Sequence, residues 1–271
     1  MPDHLLHTAL VRAPSSTPTQ LFLFLHGILG TGGNLRGLAQ SFVQDDPRRA
    51  AVLVDLRLHG RSRHLAEPHD VGACARDLVA LEQTLDLPVA GVVGHSFGGK
   101  VALAYHAERP QLERVVLLDS GPGVRPDRAG SEETMSVLRM LAGLPTAYAK
   151  REDFVALVQQ HGHSRGIADW LAMNLERTSD GFALRVDLPG IEALLDSYFS
   201  LDLWPVIEGS TARLDVVIGG RSRVWDGADR TRIEALAAQK PDTVHVHLLP
   251  EAGHWVHVDA PAALRQALLG T

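Results

Sequence analysis

Residues 92–110, "VVGHSFGGKVALAYHAERP", decide the fold. The apolar run from Val89 to Val93 reads as a buried strand, and the segment behind Phe97 reads as a helix that ends before Pro110. Between them Gly94-His95-Ser96-Phe97-Gly98 matches G-x-S-x-G, the strained strand-to-helix turn that lifts a serine hydroxyl above the edge of a sheet. Gly94 and Gly98 suit that turn because side chains there would collide with the crowded strand and helix beside it. An ordinary turn serine explains less, because the motif stands where the chemistry requires it.

Further apolar runs flank this stretch: Leu21 to Leu25, Ala50 to Leu56, Arg114 to Leu118, Leu214 to Ile218 and Val244 to Leu248. They alternate with helical patterns such as Val71, Cys74, Leu78, Leu81 and Leu85, the signature of βα units around a mostly parallel sheet. His4 to Val11 is expected to add an edge hairpin with the next stretch of chain, and Pro14 to Pro18 a turn or loop. From Val124 to Glu208 the texture changes to three or four helices without a strand of the core type. Its opening, Gly121-Pro122-Gly123-Val124-Arg125-Pro126, is rich in the residues of a domain exit. The expected organisation is therefore a core of residues 1–123 and 209–271 with a helical cap, or lid, of residues 124–208.

With 271 residues, 45% hydrophobic and 21% charged, the chain has globular composition and is long enough for a large core. A net charge of -6 offers no basic footprint for nucleic acid. One cysteine, Cys74, excludes an internal disulfide and a cysteine-based zinc cluster, and its apolar setting predicts a buried thiol. Met1-Pro2-Asp3-His4 lacks the pattern of a signal peptide, and no apolar run is long enough to span a bilayer. A cytoplasmic protein, monomer or homodimer, without membrane insertion, is the expectation.

A serine attacks only when a base removes its proton, so a histidine held by a carboxylate is needed. Of fourteen histidines, His254 in "LLPEAGHWVHVDAP" is favoured, because it follows the last predicted strand; His257 is its rival. His245 and His247 share one face of that strand, but no third ligand stands at a recognisable spacing, which favours surface histidines over a metal pair. Charge built on the attacked carbonyl oxygen needs waiting N–H donors. Phe97, just after the nucleophile, and Ile28, in the turn after the first core strand, are the candidates. His26 reads as a structural turn residue.

"GTGGNLRG" lacks both the phosphate-loop ending and the dinucleotide-binding spacing, so a nucleotide site is not expected. Arg57, Arg61 and Arg63 in "DLRLHGRSR" are expected in a solvated or cap-facing loop, with a grip on an acidic substrate as the rival role. Met135, Met140, Trp170, Met173 and Phe199 are candidates for the lining of an acyl pocket or for packing against the core.

Together "FLFLHGILGTGGNLRGLAQSF", "VLVDLRLHGRSR", "VVGHSFGGKVALAY", "RVVLLDSGP" and "AGHWVHVDAPAALRQALL" resemble the α/β-hydrolase fold serine hydrolases, and are similar to the small bacterial esterases of the YbfF type. The similarity extends into the cap around "WLAMNLERTSDGFALRVDLPGIEALL". The resemblance implies an eight-stranded sheet, a helical lid over the active site and acyl-ester chemistry on a small-molecule ester substrate, with no metal or organic cofactor. The acid departs from the commonest pattern of that family, an aspartate after the strand that follows the cap. Here that loop reads "VIGGRSRVWDGAD", with Asp226 several residues late. Asp119 in "VVLLDSGP" instead ends the strand after the nucleophile helix, where a neighbouring parallel strand would bring it to the edge that carries Ser96. Asp119 is favoured over Asp226, and over a role as a mere turn cap. The expected function is a serine hydrolase of small carboxylic esters or thioesters. A lyase or C–C bond hydrolase acting on an acidic substrate is the alternative, and a ligand receptor on a retired hydrolase fold is a third. Dehalogenases and epoxide hydrolases of this fold carry aspartate where Ser96 stands.

Overall fold

The computed structural model describes residues 5–269, so Met1-Pro2-Asp3-His4 and the expectations placed on them lie outside the described residues. The strands are β1 (Thr8–Arg12), β2 (Gln20–Leu25), β3 (Arg49–Val54), β4 (Val89–His95) and β5 (Arg114–Leu118), each buried almost throughout except β1. The inserted segment holds the short strands β6 (Ala147–Tyr148), β7 (Leu175–Thr178) and β8 (Gly181–Leu184). After it come β9 (Arg213–Gly219) and β10 (Val244–Leu249). The main sheet has the order β1-β3-β2-β4-β5-β9-β10, parallel except for β1, which runs antiparallel to β3.

Two expectations about this sheet need correction. It has seven strands among the described residues, not eight. β1 pairs with β3, Thr8 opposite Val54, and forms no hairpin with β2. Both edges of β2 are already taken by β3 and β4, so β3 offers the edge on which the N-terminal strand can pair. Pro14 and Pro18, which have no N–H to give, interrupt the chain before another strand can form.

Alternation along the strands builds two cores. Leu21, Leu23 and Leu25 face one side, with α2 (Val71–Glu82), where Cys74 is indeed buried, and α3 (Phe97–Glu108) packed on it. Phe22 and Phe24 face the other, covered by α1 (Arg36–Asp45) and the C-terminal helix over Pro261–Leu269. Burying both faces is what a parallel sheet requires, because its crossovers place helices on each.

Between β5 and β9 the chain leaves the βα pattern for an insert. It contains α4 (Glu132–Gly143), α5 (Arg151–Gln160), α6 (Arg165–Leu171), α7 (Leu188–Ser200) and α8 (Trp204–Gly209). It also carries a three-stranded antiparallel sheet, β6-β8-β7, that helical spacing alone did not anticipate. The cause is local: Ser179-Asp180 join β7 to β8, and Gly181 opposite Thr178 has φ 138°, a backbone that a glycine adopts without strain where a hairpin closes. No helix among the described residues is long and apolar enough to cross a membrane.

The turn behind β4 is tight. A Cβ on Gly94 would lie 2.2 Å from the Gly98 carbonyl oxygen, and one on Gly98 would lie 2.4 Å from that of Leu25. Gly94→Ala is therefore expected to cost about 3 kcal/mol and about 10 °C in thermal midpoint. In the same calorimetric series Gly37→Ala, in helix α1 and with nothing within 4 Å of its Cβ, is the control and is expected to leave stability unchanged or raise it by up to about 1 kcal/mol.

Candidate active site

Parallel pairing brings the chemistry together. His95 at the end of β4 lies opposite Leu118 at the end of β5, so the next residues, Ser96 and Asp119, emerge side by side at one edge. Both have left-handed backbone, φ 52° at Ser96 and 47° at Asp119, a conformation that non-glycine residues adopt chiefly where the surroundings enforce it. Here the enforcement is visible: Ser96 N–H donates to the Leu118 carbonyl and Asp119 N–H to that of Val217 on β9. His254 arrives from the loop after β10, which pairs with β9 up to Gly219.

The three side chains form one chain of hydrogen bonds. His254 Nδ1 lies 2.7 Å from Asp119 Oδ2, and Nε2 lies 2.9 Å from Ser96 Oγ. A carboxylate can only accept, so Nδ1 carries the proton and Nε2 is left to accept from the serine hydroxyl. Asp119 has no exposure, whereas the His254 side chain keeps 28%. Two further donors serve the carboxylate: Gly219 N–H reaches Oδ1 at 3.0 Å, and the Ser222 hydroxyl donates to Oδ2. Ser222 stands in the loop where an aspartate was expected, so that loop supplies a donor to the carboxylate in place of a carboxylate.

Asp226 does not approach His254. It caps the N-terminus of α9 (Gly227–Gln239), accepting from Asp229 N–H at 2.8 Å, and pairs with Arg125 at 2.7 Å. The Asp229 amide and the Arg125 charge hold its carboxyl below the ordinary range. His257 does not reach Ser96 either; its ring packs on His95, centroids 4.7 Å apart. His95, which sequence reasoning left without a role, donates from Nε2 to the His254 carbonyl at 2.9 Å and so fixes the backbone of the candidate base. Burial, reinforced by His257 and His254, keeps His95 neutral far below the usual histidine range.

The turn with Ile28 lies against the serine: a Cβ on Gly27 would sit 3.4 Å from Ser96 Cβ. Its shape is set by two neutral histidines. His26 donates to the Gly27 carbonyl and accepts from Leu56 N–H, and His59 accepts from Leu29 N–H at 2.9 Å. Burial lowers the pKa of His26 and brings that of His59 down to about 3, so both stay neutral acceptors at ordinary pH. Among the described residues Ile28 N–H has no acceptor. Phe97 N–H is the first of α3 and has none within the helix.

Two cavities meet at Ser96, Ile28 and His254. One, of about 250 Å³, is walled by Leu195, Tyr198 and Phe199 and rimmed by Glu132, Arg221 and Arg223. The other, of about 40 Å³, is walled by Val137, Ile167, Trp170 and Trp255. Of the expected pocket residues Phe199 and Trp170 are reached, while Met135, Met140 and Met173 line neither. Arg57 is buried against Asp77, and Arg63 reaches the insert at the Arg185 carbonyl. His247 binds the buried Asp215 at 3.0 Å, and among the described residues no cluster of three metal-ligating side chains exists.

His257 offers a test by pH. Burial first, then the His254 charge, lowers its pKa from 6.5 to about 4. The unfolded chain therefore takes up this proton first, so the contribution to stability is complete above about 6.5 and is lost as pH falls toward 4. Urea midpoints of His257→Gln are expected to decline less steeply than wild type across that window.

The model of the alpha/beta hydrolase family matches residues 22–267. The sn-1-specific diacylglycerol lipase ABHD11 of Mus musculus is 30% identical over 257 residues, spanning 91% of this chain and 78% of that protein. Esterase YbfF of Escherichia coli (strain K12) is 28% identical over 252 residues, 91% of this chain and 90% of that one. Among solved structures a marine microorganism esterase superposes with a TM-score of 0.81 at 23% identity, covering 98% of this chain and 99% of its own, which shows the same fold.

Proposed function

Because the chain belongs to the alpha/beta hydrolase family, we propose that it is a serine hydrolase cleaving small carboxylic esters or thioesters through an acyl-enzyme on Ser96. The observation that carries this function is the unbroken hydrogen-bonded path from Ser96 Oγ through His254 to a carboxylate that no water reaches. The esterase and lipase names of the relatives support ester bonds as the target.

As Ser96 Oγ attacks the acyl carbonyl, His254 Nε2 takes the hydroxyl proton, and Asp119 steadies the imidazolium that forms. Ile28 and Phe97 N–H groups receive the developing oxyanion, a preorganised stabilisation worth more in a dry site than in water. His254 then protonates the departing alcohol or thiol. A water attacks the acyl-enzyme by the same route, with His254 again as base. Proton transfer and oxyanion binding are both supplied by the protein, so the scheme requires neither metal nor organic cofactor.

A lyase or C–C hydrolase acting on an acidic substrate would need cationic groups turned toward it. Arg57 is held by Asp77, Arg125 by Asp226 and Asp229, and Arg221 by Glu251; Arg223 at the cavity rim has no ion-pair partner among the described residues, so one cation stands there where a cluster would be needed, which favours the ester.

A small fluorophosphonate is expected to label the wild type rapidly and Ser96→Ala not at all, as read by intact-protein mass. Steady-state hydrolysis of p-nitrophenyl acetate should separate the two acids: Asp119→Asn is expected to lose on the order of 10⁴ in kcat, and Asp226→Asn less than about threefold. Equal losses would defeat the assignment. Ser222→Ala, which removes one of three donors to Asp119, is expected to lower kcat about tenfold with KM unchanged.

A further inference from the structure

One ammonium ion holds the insert at both of its ends. Lys100 lies on α3, one turn beyond Ser96, and its side chain is fully buried. Its Nζ donates to the carbonyls of Gly123 at 2.8 Å, Tyr198 at 2.5 Å and Leu201 at 2.9 Å, and lies 4.6 Å from the centroid of the Tyr198 ring. Gly123 belongs to the connection leaving β5; Tyr198 and Leu201 belong to the end of α7, where the chain returns. The two connections also bind each other, Arg125 N–H to the Phe199 carbonyl and Leu203 N–H to that of Pro122.

An ammonium has three donors and no acceptor, so three carbonyls satisfy it fully; a neutral amine could serve two, and methionine none. Burial lowers the Lys100 pKa to about 8, against the pull of Asp202 and Asp229 and with the push of Arg125, so the ammonium prevails at neutral pH. A charge this deep is tolerated only with every proton bonded, and here all three bonds cross from the nucleophile helix to the insert.

We propose that Lys100 is a positioning residue, tying both ends of the insert to the helix that carries Ser96 and thereby fixing the Tyr198 and Phe199 wall of the larger cavity. The effect on turnover rests on the hydrolase function proposed above; the tie does not. A substrate too small to touch that wall should react as before without the tie, whereas a longer one should lose binding.

Lys100→Met tests this. Amide exchange by mass spectrometry is expected to quicken about tenfold in segment 121–126, which loses one charge-assisted bond, and by at least as much in segment 196–204, which loses two. KM for a long-chain p-nitrophenyl ester should rise about tenfold as well, while kcat for the acetate and the rate of fluorophosphonate labelling change less than about threefold. Unchanged exchange, or a change at one end only, overturns the tie. Parallel losses in kcat for both esters would assign Lys100 to the serine itself and overturn the positioning role. A wild type inert to the fluorophosphonate and to both esters defeats the hydrolase function, and exchange still decides the tie. Should Lys100→Met not fold, acetylation of wild type in rising urea replaces it. Lys100 is expected to react about a hundredfold more slowly than the exposed Lys150 and to become reactive in the same sub-global step that frees both segments; reaction at the Lys150 rate, or in a separate step, overturns the proposal.

Discussion

A carboxylate with no exposure can stay charged only if donors surround it, and Asp119 draws them from three places. Gly219 comes from the end of β9, Ser222 from the loop behind it, and His254 from the loop behind β10. Satisfying one buried charge thus fixes the relative positions of three strand ends. Ser96 joins them through the ladder between β4 and β5. The ordering of the candidate site is therefore a by-product of a desolvation cost that the fold has to meet.

How far the sequence disclosed this depends on the range of each interaction. The turn at Ser96 was legible because its causes, a strand, two glycines and a helix, lie within a few residues. Asp119 was legible through strand order, since a right-handed crossover makes β5 the neighbour of β4. Ser222 was not, because its partner lies 103 positions away and a serine in a loop has no periodic signature. The role of His95 was hidden for the same reason: its acceptor is a main-chain carbonyl 159 positions on. The antiparallel hairpin of the insert turns on Gly181, a signal outweighed by helical spacing on either side. The pairing of β1 depended on which strand edge remained open, a property of the assembled sheet that no short stretch encodes.

Histidine is used here in two ways. His26, His59, His95 and His257 are held neutral by burial, and three of them donate or accept around the turns that frame Ser96. A neutral imidazole can do both at once, which few side chains of that size allow. His254 alone among these combines a carboxylate partner, a hydroxyl partner and access to solvent.

The connection that leaves β5 and the one that returns toward β9 run side by side, Leu203 N–H on the Pro122 carbonyl and Arg125 N–H on that of Phe199. The two roots of the insert therefore stand one backbone hydrogen bond apart. A segment grafted between them need not stretch or shift the scaffold, whatever its size, provided its ends are as close together. Diversification of this covering by exchange, with the machinery beneath it left in register, is accordingly a low-strain route open to descendants of this chain.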